Sequence, residues 1–258
     1  MNMARTSNLE FAVLLTGILL ISPLVFFGQH EKAPAHSWDY SKATGPKHWA
    51  ELSPEFATCK LGHQQSPIDI REAKKADLPP IVFDYKASPL RMIDNGHTVE
   101  VDYASGSSIS VGGKTYQLVQ FHFHHPSEEY IRGKRSELEI HLVHSDADGN
   151  KAVVAVLINP GRSNDFLQSI FEHVPHQKEK EESIDLTVDA TSLLPQERPY
   201  YTFSGSLTTP PCSEHVTWFV LKNPVEASVS QIKMFAKIYQ NNARPVQPLS
   251  GRTVLASQ

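Results

Sequence analysis

The sequence predicts a mostly-β (β-rich α+β) fold, a single domain whose core is a sheet with short helices on its surface. Three observations lead there. Short runs in the middle of the chain alternate apolar and polar residues, the period of a half-buried strand. Helical periodicity is clear in only two places. From about residue 37 onward Pro and Gly are spread evenly, with no linker-like block, repeat or low-complexity tract to divide the chain.

At the start of the chain lies the apolar run Phe11–Phe27, preceded by Arg5 and followed by the polar segment Gly28–His36. This is the layout of a secretory signal. Residues 1–35 are therefore assigned to a signal peptide, with an Ala33-Pro34-Ala35 step that suits cleavage, or to an uncleaved N-terminal membrane anchor. Either way residues 36–258 are expected in the periplasm or the medium, tethered to the inner membrane if the leader stays. Export governs how Cys59 and Cys212 are read, because an even cysteine count in an oxidising compartment points to a bridge. Such a bridge closes a long loop, and chain entropy would stabilise the fold by at most about 5 kcal/mol. Two buried free thiols are the alternative.

Strands are expected at Val99–Tyr103, Tyr116–His124, Leu138–His144, Ala152–Ile158 and His215–Leu221, each bounded by Gly, Asn, Asp or Pro signals. Ala152–Ile158 is apolar at both parities, which fits a strand in the middle of a sheet covered on both sides. One helix is expected after Asn164, through Leu167, Ile170, Phe171 and Val174. A second follows the capping candidate Ser228, through Ile232, Phe235, Ala236 and Tyr239.

The composition, 40% hydrophobic and 20% charged with a formal net charge of -4, is ordinary for a globular protein. It offers no concentrated basic surface, so nucleic acid is not an expected partner. The charged run Lys178–Glu182 is mixed in sign and reads as a solvated loop.

Chemistry concentrates in two of the predicted strands. In Val119–His124 the alternation puts Gln120, His122 and His124 on one face and Val119, Phe121 and Phe123 on the other. In Leu138–Val143 it groups Glu139, His141 and Val143 against Leu138, Ile140 and Leu142. If these strands are neighbours with matching faces, three imidazoles converge. Three neutral histidines suit zinc and leave a fourth tetrahedral position open, the mark of a catalytic site. Gln120 and Glu139, each two residues from a histidine, suit the task of holding the outward ring N–H of a ligand. His125 and His144 have the wrong parity, and His63, His173, His176 and His215 lack a supporting pattern.

From Trp38 onward the chain resembles the α-class carbonic anhydrases of the bacterial exported type. The resemblance rests on Trp38-Asp39-Tyr40, Gly45-Pro46-Lys47-His48-Trp49, Gln65–Ile70, Asn95-Gly96-His97, Gln120–His124, Ser127-Glu128, Glu139–His144, Ser206–Cys212, Val216-Thr217-Trp218 and Arg244–Leu249, in that order. It implies a mostly antiparallel twisted sheet of about ten strands with zinc at the bottom of a conical cleft. It further implies reversible hydration of carbon dioxide to bicarbonate by a zinc-bound hydroxide on His122, His124 and His141. Thr208 and Glu128 would orient that hydroxide. His97 would shuttle the proton, and Val143, Val153, Leu207, Thr209 and Trp218 would line the substrate pocket. Cys59 and Cys212 match the disulfide of bacterial members. Two positions depart from animal members: His125, where they carry tryptophan, and Glu129, where they carry histidine. Carbon dioxide and bicarbonate are the expected partners, with no obligate protein partner, and a monomer or homodimer is expected.

Two rival readings fare worse. His122-x-His124-x-x-x-Glu128 fits the first half of a cupin metal motif, but the second half is missing, and there is no His-Glu-x-x-His run of a zinc protease. A non-catalytic binding module of the same family would be expected to lose ligand histidines, and all three are present.

Overall fold

The apolar run at Ala152–Ile158 forms the strand Lys151–Pro160, buried on both faces through its middle. In the computed structural model, which describes residues 37–258 and Met1, Leu138–Ser145 pairs with it antiparallel on one side and Glu214–Leu221 pairs with it parallel on the other. The leader assigned to residues 1–35 lies outside the described residues. Residues 37–258 form one unit.

Among the described residues a 13-stranded sheet runs in the order Glu182–Val188, Ser88–Asp94, Val99–Asp102, Lys114–His124, Leu138–Ser145, Lys151–Pro160, Glu214–Leu221, Tyr200–Ser206, Leu255–Ala256 and Lys74–Lys75. Val82–Asp84, Ser108–Val111 and Val225–Ala227 pair beside this path. Most neighbours are antiparallel, as expected. The sheet is mixed all the same, because Lys151–Pro160 runs parallel to both Glu214–Leu221 and Val225–Ala227, and Leu255–Ala256 runs parallel to Lys74–Lys75. The expected ten strands match the main path; the three extra ones are short strands of three or four residues.

Each face of the sheet carries its own core. On one face Phe121, Phe123, Leu138, Ile140, Leu142, Val154 and Val156 are buried under the helices Asp165–Phe171 and Val229–Ile238. Both helices begin at side-chain caps: Asn164 accepts from the Leu167 N–H, and Ser228 and Gln231 make a reciprocal capping box. Val174 lies past the first helix, which ends at Phe171. Phe123 packs against Phe171 and Phe235 with ring centroids 5.2 and 5.6 Å apart. The helices therefore clamp the back of the strand whose front bears His122 and His124.

The alternation expected of Val119 fails. Val119 is 43% exposed, and Leu118 takes the buried position. The register against Leu138–Ser145 slips between Leu118 and Gln120, so one residue is left over there and the strand bulges. Beyond that point the expected parity holds.

A third cluster joins Trp49 to Cys59 and Cys212, which form a disulfide across 153 residues with their Cα atoms 5.0 Å apart. Export predicted this bridge. It ties the start of the described chain to the loop that follows Thr208 and Thr209.

Candidate metal centre

Register decides which side chains meet. His122 lies opposite His141 and His124 opposite Glu139, while Glu100 on the next strand lies opposite His122. Equal parity puts all of these side chains on one face. The ring centroids of His122, His124 and His141 are 4.5 to 5.3 Å apart, and one ring nitrogen from each lies within 4.8 Å of the others.

The outward nitrogens are held. His122 Nδ1 donates to Gln120 Oε1 at 2.8 Å, and His124 Nδ1 donates to the Asn242 carbonyl at 2.9 Å. His141 turns the other way, with Nε2 facing Glu139 Oε1 at 3.4 Å and Glu129 Oε2 at 3.5 Å. This leaves Nε2 of His122, Nε2 of His124 and Nδ1 of His141 to face one another. His124 Nε2 is buried without any hydrogen-bond partner, a costly state for a polar atom in an apolar surrounding. A zinc ion accepting three neutral imidazoles would satisfy it, so the residues fit the metal.

Electrostatics prepares the same atoms. Burial, followed by the neighbouring imidazoles, holds His122 well below the usual histidine range and His124 down at about 3, so both are neutral. Burial pulls His141 down too. Glu139 and Glu129 outweigh it and hold that ring up at about 10. Without a metal the pocket thus prefers a proton on His141, the charge that a dication would replace. Burial raises Glu129 well above the carboxylate range, whereas His141 and Glu129 together keep Glu139 low against its own burial. Glu139 Oε2 also accepts from the Glu128 and Glu129 backbone N–H groups at 2.6 and 3.0 Å.

Glu128 is fully buried, and burial pushes its carboxyl up to about 7, with His141, the Thr208 hydroxyl and the Arg244 N–H pulling against that rise. Its Oε1 accepts from the Arg244 N–H at 2.6 Å, and its Oε2 faces His124 Nε2 at 3.6 Å and His141 Nδ1 at 3.9 Å. Arg244 is fixed in turn by donating to the Cys59 carbonyl, the Ser66 carbonyl and Gln65 Oε1.

A cavity of about 110 Å³ opens onto the histidines, lined by Trp38, Tyr40, Asn95, His97, Glu100, Gln120, His122, His124 and Thr209 among others. His97 stands on this wall, its ring stacked on Trp38 with centroids 3.6 Å apart, and its buried Nδ1 has no protein partner. It rides on a turn in which Gly96 has φ 84°, a backbone state that glycine enters without cost. Val143, Val153, Leu207 and Trp218 join one apolar cluster beside the histidines, Val153 pairing with Val143 on one side and with Trp218 on the other. Val153 and Trp218 are buried, while Val143 and Leu207 are partly exposed.

The structure therefore brings together His122, His124, His141, Gln120, Glu139, Glu128 and Thr208, with His97 and Thr209 on the adjoining cavity. His125 and His144 lie elsewhere: His125 Nδ1 bonds the Gln240 carbonyl, and His144 Nε2 meets the Tyr85 hydroxyl. Three contributors escaped the sequence reading. Asn242 and Arg244 reach His124 and Glu128 through backbone atoms, a use that residue type does not encode even where Arg244 opens a quoted motif, whereas Glu100 shares the parity of a polar strand face.

A mixed sheet with three imidazoles converging beside buried carboxylates is an arrangement whose family the chain's relatives identify. The chain belongs to the eukaryotic-type carbonic anhydrase family, whose profile matches residues 44–258. It is 42% identical over 230 residues to a carbonic anhydrase of Nostoc, covering 87% of each chain. An α-carbonic anhydrase of Thermovibrio ammonificans, solved with sulfanilamide, superposes with a TM-score of 0.83 at 43% identity, covering 85% of this chain and 99% of that one. A dioscorin solved with ascorbate shares the fold at 33% identity, with a TM-score of 0.80 over 85% of this chain and 97% of its own. The chain is an enzyme of the carbonic anhydrase class.

Proposed function

We propose that the protein carries out reversible hydration of carbon dioxide to bicarbonate and a proton, with zinc held by His122 Nε2, His124 Nε2 and His141 Nδ1. The observation that carries this reading is the convergence of three ring nitrogens, with the opposite nitrogens of His122 and His124 bonded to Gln120 and the Asn242 carbonyl and that of His141 facing Glu139. Zinc so bound supplies hydroxide near neutral pH, carbonic anhydrases being the standard instance of that chemistry.

The chain's own groups do the rest. A Thr208 hydroxyl has one proton; when it donates to Glu128, its oxygen is left as an acceptor, which turns the lone pair of the attacking oxygen toward carbon dioxide. Val143 and Leu207 give the uncharged substrate an apolar wall, backed by the buried Val153 and Trp218. Thr209 borders the same cavity. His97 takes a proton at its imidazole and hands it to solvent, a task suited to a histidine on the cavity wall. Export to the periplasm or medium is supported by the leader pattern of residues 1–35 and by the Cys59–Cys212 bridge.

The dioscorin relationship keeps a binding module in view, and the retained histidines favour the enzyme. Zinc content and carbon dioxide hydration measured on one purified sample decide between them. One zinc per chain with hydration that a chelator abolishes is expected. Zinc without hydration, or bound iron or manganese instead, contradicts the reading.

A further inference from the structure

Glu100 stands outside every role assigned above, yet its carboxylate lies on the same cavity as His97, His122 and His124. Its Oε2 receives two side-chain amides, Gln120 Nε2 at 3.0 Å and Asn95 Nδ2 at 3.5 Å. A carboxylate can only accept, so each amide must present its NH2 group to it. Asn95 is already committed to that orientation, because its Oδ1 accepts from the His97 and Thr98 backbone N–H groups at 3.0 and 2.9 Å. For Gln120 nothing but Glu100 fixes the choice among the hydrogen bonds present: its Oε1 meets His122 Nδ1 at 2.8 Å.

An amide has two orientations of nearly equal shape, and here they have opposite consequences. With the oxygen toward His122, Nδ1 carries the ring proton and Nε2 is free to ligate. With the NH2 group toward His122, Nδ1 must accept, the proton moves to Nε2, and that nitrogen cannot bind a metal. We propose that Glu100 is a positioning residue that sets the polarity of the Gln120 amide and so holds His122 in its metal-binding tautomer. The inference rests on the zinc site proposed above. The same oxygen anchors the turn that carries His97, so one carboxylate ties the rim of the cavity to its floor.

The test is zinc release from the folded holoprotein into excess chelator. Glu100→Leu should release zinc about tenfold faster, the low end of the effect of outer hydrogen-bond partners on metal affinity. Glu100→Gln, which retains an acceptor oxygen, should stay near the parent. In a Gln120→Ala background Glu100→Leu should add nothing, because its effect passes through that amide; a full effect there would assign Glu100 a general structural role and overturn the proposal. Should Glu100→Leu not fold, the metal-free parent decides: 15N shifts should place the His122 proton on Nδ1, and a proton on Nε2 overturns the proposal. A parent that holds no zinc overturns the site itself, whereas a zinc-holding parent whose release is unchanged in Glu100→Leu overturns only the role of Glu100.

Discussion

His141 and His144 sit three residues apart on one strand, both buried, and they live in opposite electrostatic worlds. Burial pushes both down. At His144 no charge opposes it: the ring lies on the apolar face, meets the Tyr85 hydroxyl at 2.9 Å through Nε2, and burial outweighs the backbone contacts at Ala152 and Leu142 and holds it at about 3. At His141 the carboxylates of Glu139 and Glu129 overturn the burial and hold the ring at about 10. Odd spacing sends the two rings to opposite faces of the sheet. The lesson is that burial alone makes a histidine an inert, neutral core residue, whereas burial beside carboxylates makes a place that demands positive charge. A metal dication would supply positive charge at the same place.

The comparison can be broken most severely by removing each ring in turn. His141→Ala should abolish zinc retention and hydration, while His144→Leu should keep both, since its ring lies on the opposite face of the sheet from the three histidines, beside Tyr85. Zinc analysis with a hydration assay reads the contrast; loss of zinc in both variants would erase the distinction between the faces. A smaller effect is expected at Thr208→Val, which should keep zinc but lose about a hundredfold in hydration rate, because shape is preserved while the hydroxyl is lost. Parental hydration in a zinc-replete variant would remove Thr208 from the mechanism.

Acid should expose the cost of His144. Its folded pKa of about 3 lies below the unfolded value, so the folded state binds fewer protons, and the stability that the neutral ring contributes is complete above about pH 6.5 and is lost as pH falls toward 3. Across that window the parent should lose up to about 1.4 kcal/mol per pH unit relative to His144→Phe. The thermal midpoint of the parent, taken relative to that of His144→Phe, should be lower at pH 5 than at pH 7. Parallel pH profiles would show that folding leaves the His144 titration unshifted. The mildest effect is expected at His97→Ala, which should slow hydration only in dilute buffer, leave zinc in place and respond to added imidazole. Equal rates in dilute buffer would assign the proton to another route.

Much of this was legible in the alternation of the two histidine strands, because period two assigns faces without knowledge of the partner strand. The expected Leu138–His144 and Ala152–Ile158 fall inside the observed Leu138–Ser145 and Lys151–Pro160. Caps at Asn164 and Ser228 marked both helices, since a side chain that accepts a free N–H is a local signal. Other features were hidden for physical reasons. Glu182–Val188 is an edge strand that alternates exposed and partly buried residues and carries charge, so its apolar signal is weak. The bulge at Val119 depends on the register of a neighbouring strand, and the carbonyl that holds His124 belongs to Asn242, 118 residues away. Long-range backbone contacts of that kind carry no residue code.

Two clusters of the described residues can offer a metal three side-chain ligands, His122 with His124 and His141, and Glu129 with Glu139 and His141. They share His141 and differ in everything else. Crystals of the zinc-loaded protein, measured on both sides of the zinc absorption edge, separate them directly. A single anomalous peak should lie among the three imidazoles at roughly 2.0 to 2.1 Å from each nitrogen, with a fourth position open to solvent. A peak between Glu129 and Glu139, or a carboxylate filling the fourth position, would contradict the three-histidine centre.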